Sequence, residues 1–210
     1  TGYHRSPEWY RTHFPTRAHA RRVERRTGAP LRCGEASPYY VFHPLAVERI
    51  AADLPDARLV VLLRDPVERT LSHHKHEVRR GNEPLDLLEA LDAEPDRLRG
   101  EADRIVAGAP FVNSFAHQTF SYVERSRYGP QISRLFDHVG RDKVLVLQSE
   151  QLFGDPAAVL ERVLAFLQLP HWSPPRFPRE NATVDTEVPI HVRERLRAEF
   201  AANAAGVQCL

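Results

Sequence analysis

The sequence has 210 residues, enough for one domain with a substantial core, and its 42% hydrophobic and 27% charged content is that of a soluble globular protein. A formal net charge of +1 excludes any broad electrostatic attraction to nucleic acid or an anionic membrane, so an anion site must be local. The only cysteines, Cys33 and Cys209, lie far apart and outside any C-x-x-C pattern, which excludes a disulfide scaffold and fits a reducing, cytoplasmic compartment.

No apolar run approaches the roughly 20 residues of a membrane span, and the start carries no signal-peptide pattern. The chain starts at Thr1 and contains no Met, which predicts either a leading segment cut away or methionines in a modified form. TGYHRSPEWYRTHFP predicts a loop with a short helix around Glu8 to His13, and a basic helix follows from about Arg17 to Arg26. LRCGEASPYYVFHP predicts a short strand near Leu31 to Cys33 and a turn from Gly34 to Pro38. PLAVERIAADLP predicts an amphipathic helix between prolines.

The unbroken Leu59, Val60, Val61, Leu62, Leu63 predicts a strand buried on both faces, as in a parallel sheet covered by helices. It stops at Arg64. Asp65 as N-cap, Pro66 at the first helical position and Glu68 completing an acidic capping box predict a helix that begins within a residue of Arg64. Val67, Leu71, His74 and Val78 form a stripe suited to packing on the sheet, and the adjacent stripe holds Asp65, Arg69, Ser72 and His76. An arginine at the carboxyl end of a strand, with a hydroxyl two turns along the next helix, is suited to clamp a phosphate or carboxylate. A surface arginine and a solvated serine are the competing reading of the same spacing.

After Gly81 the pattern is helical or irregular as far as Tyr122, and an insertion over the site is expected there. QISRLFDHVG predicts a helix ending at Gly140, KVLVLQS a second buried strand, and PAAVLERVLAFLQL a helix opened by Asp155 and Pro156. A Pro-rich loop of lid-like length precedes a last helix over about Ile190 to Ala202. Strand, helix, strand, helix points to βαβ units and a parallel sheet.

With these pieces in place the chain resembles the sulfotransferases that use 3'-phosphoadenosine 5'-phosphosulfate. LRDPVERTLS is similar to that family's 3'-phosphate-binding segment, supported in order by GEASPYY, SRYG and KVLVLQSEQLFGDPAAVLERVLAFLQL. The likeness is to the carbohydrate-type branch, including heparan sulfate N-sulfotransferase domains and bacterial relatives, where a WY..FP segment matches Trp9, Tyr10, Phe14 and Pro15. The resemblance implies a P-loop-NTPase-like α/β fold, a central parallel sheet flanked by helices in a single domain over residues 1–210. It implies Arg64 and Ser72 on the donor's 3'-phosphate, and His76, four residues after that serine, in catalysis. Arg127 and Tyr128 are candidate donor contacts, and Trp9, Tyr10 and Glu35 candidate acceptor contacts.

The family's first strand and its Lys/Arg-x-Gly-Thr-Thr loop for the 5'-phosphosulfate do not occur in these 210 residues. They are expected upstream of Thr1, with the acidic general base of the glycosaminoglycan enzymes. Ala36 stands where several of those enzymes carry Lys. Arg179 takes the place of a late Lys-Gly contact to the donor. The expected reaction is in-line sulfuryl transfer from that donor, with no metal, to a hydroxyl or amine of a carbohydrate or small natural product. Neither nucleic acid nor membrane is expected as partner. A catalytically inactive nucleotide-binding or scaffolding relative and a P-loop nucleotide kinase are the alternatives.

Overall fold

A computed structural model describes residues 3–177 and 188–202. The chain order is α1 (Pro7–Arg11), α2 (Arg17–Thr27), α3 (Ala46–Asp53), β1 (Leu59–Leu63), α4 (Pro66–Arg79), α5 (Leu87–Leu98), α6 (Glu101–Ala107), α7 (Phe115–Thr119), α8 (Tyr128–Val139), β2 (Val144–Gln148), α9 (Ser149–Gly154), α10 (Pro156–Phe166) and α11 (Ile190–Ala202). Single 3-10 turns at Glu124–Ser126 and Arg141–Lys143 flank α8.

β1 and β2 pair in parallel with Leu59 opposite Val144 and Leu63 opposite Gln148. Among the described residues the sheet has these two strands. One face is sealed by α3 and α8, through Val47, Val61, Ile132, Leu135 and Val144. The other face of β1 is open, with Val60 41% and Leu62 48% exposed, so the expectation of a strand buried on both faces is corrected. Its sequence is apolar on both sides, but the described residues cover one of them. No strand forms at Leu31 to Cys33 either. Pro30 supplies no ladder donor, and Gly34 follows too closely for a pairing segment.

A second core lies behind α4. Val67 and Leu71 pack on Ala90 and Leu91 of α5, on Tyr122, and on Val192, Leu196 and Phe200 of α11. The segment after Gly81, expected as an insertion over the site, thus builds core against the apolar stripe of α4. His74 belongs to that stripe and is buried, but Val78, in the last turn of α4, is 45% exposed.

A polar network fastens this core: Arg97 donates to both oxygens of Glu83 (2.5 and 3.1 Å), and the Tyr122 hydroxyl donates to the same carboxylate at 2.7 Å. The hydrogen bonds from Arg97 and Tyr122 hold the Glu83 carboxyl below its usual range despite burial. Arg97→Ala leaves a buried carboxylate without its cation, and a loss of about 3 kcal/mol is expected in urea unfolding. A change under about 1 kcal/mol would contradict a buried, coupled pair.

Candidate active site

The junction of β1 and α4 is built as its sequence requires. Asp65 is the N-cap, its Oδ1 accepting from the Glu68 N–H at 3.0 Å, and Pro66 occupies the first turn. The return half of the expected capping box is replaced. The Asp65 N–H donates to Glu150 Oε1 at 2.9 Å, and Glu68 turns instead to Arg64 Nη2 (3.9 Å) and to Arg193 of α11. Glu150 follows β2 as Asp65 follows β1, and the parallel register carries the two side by side.

Arg64 therefore stands at the carboxyl edge of the sheet, its side chain 41% exposed and leaning on Glu68. Its carbonyl is held from behind by the Tyr128 hydroxyl, which donates to it at 3.0 Å. Tyr128 opens α8 and packs into the sheet-facing core. Burial raises its hydroxyl pKa, so it remains a donor across the physiological range. Tyr128→Phe removes this hydrogen bond, and a stability loss of about 1 kcal/mol is expected in urea unfolding, as for one neutral hydrogen bond. Unchanged stability would leave Tyr128 as a packing residue only.

Ser72 is half-buried two turns along α4, and His76 follows one turn later, its side chain 46% exposed. His76 Nδ1 lies 3.4 Å from Arg79 Nη2, and its Nε2 lies 3.9 Å from the buried Glu77 carboxylate, which Asn82 fixes with a 2.7 Å hydrogen bond. The ring can exchange protons with solvent or a ligand while a carboxylate steadies it. Arg69, on the same stripe, is structural: it donates to the Tyr122 carbonyl (2.8 Å), to Ser126 Oγ (3.1 Å) and to His73 Nδ1 (3.1 Å).

Of the candidate acceptor residues, Tyr10 and Glu35 meet, together with Tyr40. Glu35 Oε1 accepts from the Tyr10 hydroxyl at 3.2 Å and from the Tyr40 hydroxyl at 2.6 Å. Burial, reinforced by Glu35, pushes the Tyr10 hydroxyl up to about 12 and raises that of Tyr40. Trp9 is half-buried, with the Arg5 guanidinium 4.6 Å above its ring.

Arg127 is not brought to Arg64. It pairs with Glu124 and with Glu199 of α11, both at 2.7 Å, and lines an open cleft of about 640 Å³ with Phe42, Leu91, Arg134 and Leu196. Arg179 lies outside the described residues. Sequence reasoning missed Tyr40, Glu150 and Arg193 as neighbours of the site, and it placed Glu68 there as a capping residue but not as a partner of Arg64. Of the first three, Glu150 left a signal, by following the second strand as Asp65 follows the first. Ser149, the residue before it, is buried, and its hydroxyl has no partner among the described residues.

The family model described as "Sulfotransferase family" matches residues 5–174. The chain belongs to the sulfotransferase family. A solved sulfotransferase from Alicyclobacillus acidocaldarius superposes with a TM-score of 0.65 at 30% identity, covering 84% of this chain and 63% of its own. Bifunctional heparan sulfate N-deacetylase/N-sulfotransferase 1 of Xenopus laevis is 28% identical over 173 residues, 79% of this chain and 17% of that protein. Mouse heparan sulfate glucosamine 3-O-sulfotransferase 3B1 is 28% identical over 170 residues, 80% of this chain and 36% of that protein. This sulfotransferase chain thus spans a minor part of the curated relatives it matches. Its α/β architecture, helices around a small parallel sheet, is that of the family.

Proposed function

We propose that the chain takes part in transfer of a sulfuryl group from 3'-phosphoadenosine 5'-phosphosulfate to a hydroxyl or amine of a carbohydrate or small natural product. The observation that carries this reading is the placement of Arg64, fixed at a strand end by Tyr128 and followed on α4 by Ser72 and His76. A guanidinium fork and a hydroxyl on one exposed edge fit the 3'-phosphate of such a donor. The names of the heparan sulfate relatives favour a carbohydrate acceptor.

In the reaction the bond from sulfur to the bridging phosphosulfate oxygen breaks as the acceptor oxygen or nitrogen bonds to sulfur. The acceptor's proton passes to a base, and 3'-phosphoadenosine 5'-phosphate leaves. Arg64 and Ser72 bind and orient the donor's 3'-phosphate, and His76 moves a proton at its imidazole. Glu35, Tyr10, Tyr40 and Trp9 form the acceptor side. Incubation with sulfur-labelled donor and N-desulfated heparin tests this: label in the polysaccharide is the expected result. Binding of 3'-phosphoadenosine 5'-phosphate without transfer to any hydroxyl or amine acceptor would leave a nucleotide-binding role instead.

A further inference from the structure

Among the described residues, α2 is the most strongly charged helix that the proposed chemistry leaves unused. Its eleven residues, RAHARRVERRT, carry five arginines against one glutamate, while the whole chain has a net charge of +1. The charge is therefore concentrated here, and the remainder of the chain is net acidic.

The helix is well made. Thr16 caps its start by accepting from the His19 N–H, and Gly28 ends it in the left-handed region at φ 71, which a glycine adopts without strain. At 3.6 residues per turn, Arg17, Arg21 and Arg25 fall on one line and Arg22 and Arg26 on the next. Ala20 and Val23 lie on the opposite side and are the half-buried positions of α2, whereas all five arginines are exposed. None of the five has a hydrogen-bonding or ion-pair partner among the described residues. Self-repulsion within such a face is unfavourable unless an anion offsets it.

The position of α2 narrows the choice of anion. The Tyr10 to Glu35 hydrogen bond joins the chain on either side of α2, so α2 lies within the loop that this contact of the acceptor cluster closes. Over its length of about 16 Å, a linear polyanion can lie across the arginine lines. The helix has no Phe, Tyr or Trp on which bases could stack and no bulky apolar face to enter a bilayer.

We propose that α2 is an exosite for a sulfated or carboxylated polysaccharide chain, holding it beside the acceptor cluster. The inference rests on the sulfotransferase reading and specifies its acceptor as polyanionic. Binding is through several guanidinium contacts that release counterions and is steeply salt-dependent.

The test measures size-fractionated heparin binding by calorimetry at several salt concentrations, for the full chain and two double variants. Arg21→Gln/Arg25→Gln should raise the dissociation constant about tenfold or more and reduce the salt slope by roughly one to two, on the order of one per lost charge contact. Arg176→Gln/Arg197→Gln removes the same charge from exposed positions elsewhere and should stay within about twofold of the parent. Equal losses in both variants would overturn the exosite. So would duplex DNA or phosphatidylglycerol vesicles binding as tightly as heparin at equal charge concentration. Affinity for 3'-phosphoadenosine 5'-phosphate, measured on the same samples, separates the two claims. If it is retained while heparin binding is indifferent to α2, the exosite fails and the donor reading stands. If it is absent in every sample, the donor reading fails.

Discussion

His76→Ala is expected to lower kcat about a hundredfold or more while leaving affinity for 3'-phosphoadenosine 5'-phosphate within a few fold. The reason is geometric. His76 stands on the exposed face of α4 one turn beyond Ser72, steadied by Glu77 and Arg79, and an imidazole there can carry the proton that sulfuryl transfer displaces. Arg64→Ala should act in the opposite way, weakening the nucleotide by on the order of 2 kcal/mol, the worth of a charge-assisted pair. A variant that merely unfolds loses both properties together, so the two substitutions check each other. Turnover of His76→Ala within a few fold of the parent would return His76 to the role of a solvated helix residue.

The second large effect is acid destabilisation. His43 and His117 are buried and His73 is half-buried, and each Nδ1 is engaged: by the Leu45 N–H at 3.1 Å, by Arg69 Nη2 at 3.1 Å and by the Tyr39 hydroxyl at 2.6 Å, in that order for His43, His73 and His117. Desolvation, aided by neighbouring arginines, depresses His43 and His117 to about 4 and His73 to about 2. Below the unfolded-state value of about 6.5 the unfolded chain binds protons that the folded chain refuses, so stability falls as pH drops from there toward the folded pKa values.

Glu94 works against them. Desolvation raises its carboxyl to about 7 although it accepts from the Val123 and Glu124 N–H groups, so its ionisation between about pH 4.5 and 7 costs stability as pH rises. Allowing on the order of 1–2 kcal/mol per histidine after solvent screening, the histidines win, and stability at pH 5 should lie about 2 kcal/mol below that at pH 7. His117→Gln should flatten this slope, and Glu94→Gln should steepen it, in urea unfolding at the two pH values. Movement of both slopes in one direction would contradict the assignment.

Elements whose signals are local were legible in the sequence. The β1 to α4 junction, the opening of α10 at Asp155 and Pro156, and the bounds of α11 follow from caps, prolines and periodicity within a few residues. What depends on register and packing was not. The apolar composition of β1 carries no record of which face is covered, and Val60 and Leu62 prove exposed. The Tyr128 hydroxyl meets the Arg64 carbonyl across 64 positions, a contact set by where α8 packs on the sheet. Likewise SRYG favours Arg127 slightly over Tyr128 as a donor contact, but Arg127 precedes α8 and turns to Glu199, while Tyr128 in its first turn reaches the Arg64 carbonyl.

The central claim is that the β1 to α4 junction recognises a 3'-phosphate. Calorimetric titration of the chain with 3'-phosphoadenosine 5'-phosphate and with AMP tests it most directly, because the ligands differ only in that group. The placement of Arg64 and Ser72 predicts affinity at least about tenfold higher for the bisphosphate, the value of one charge-assisted contact, and loss of that preference in Arg64→Ala. Equal affinity for the two nucleotides would contradict it.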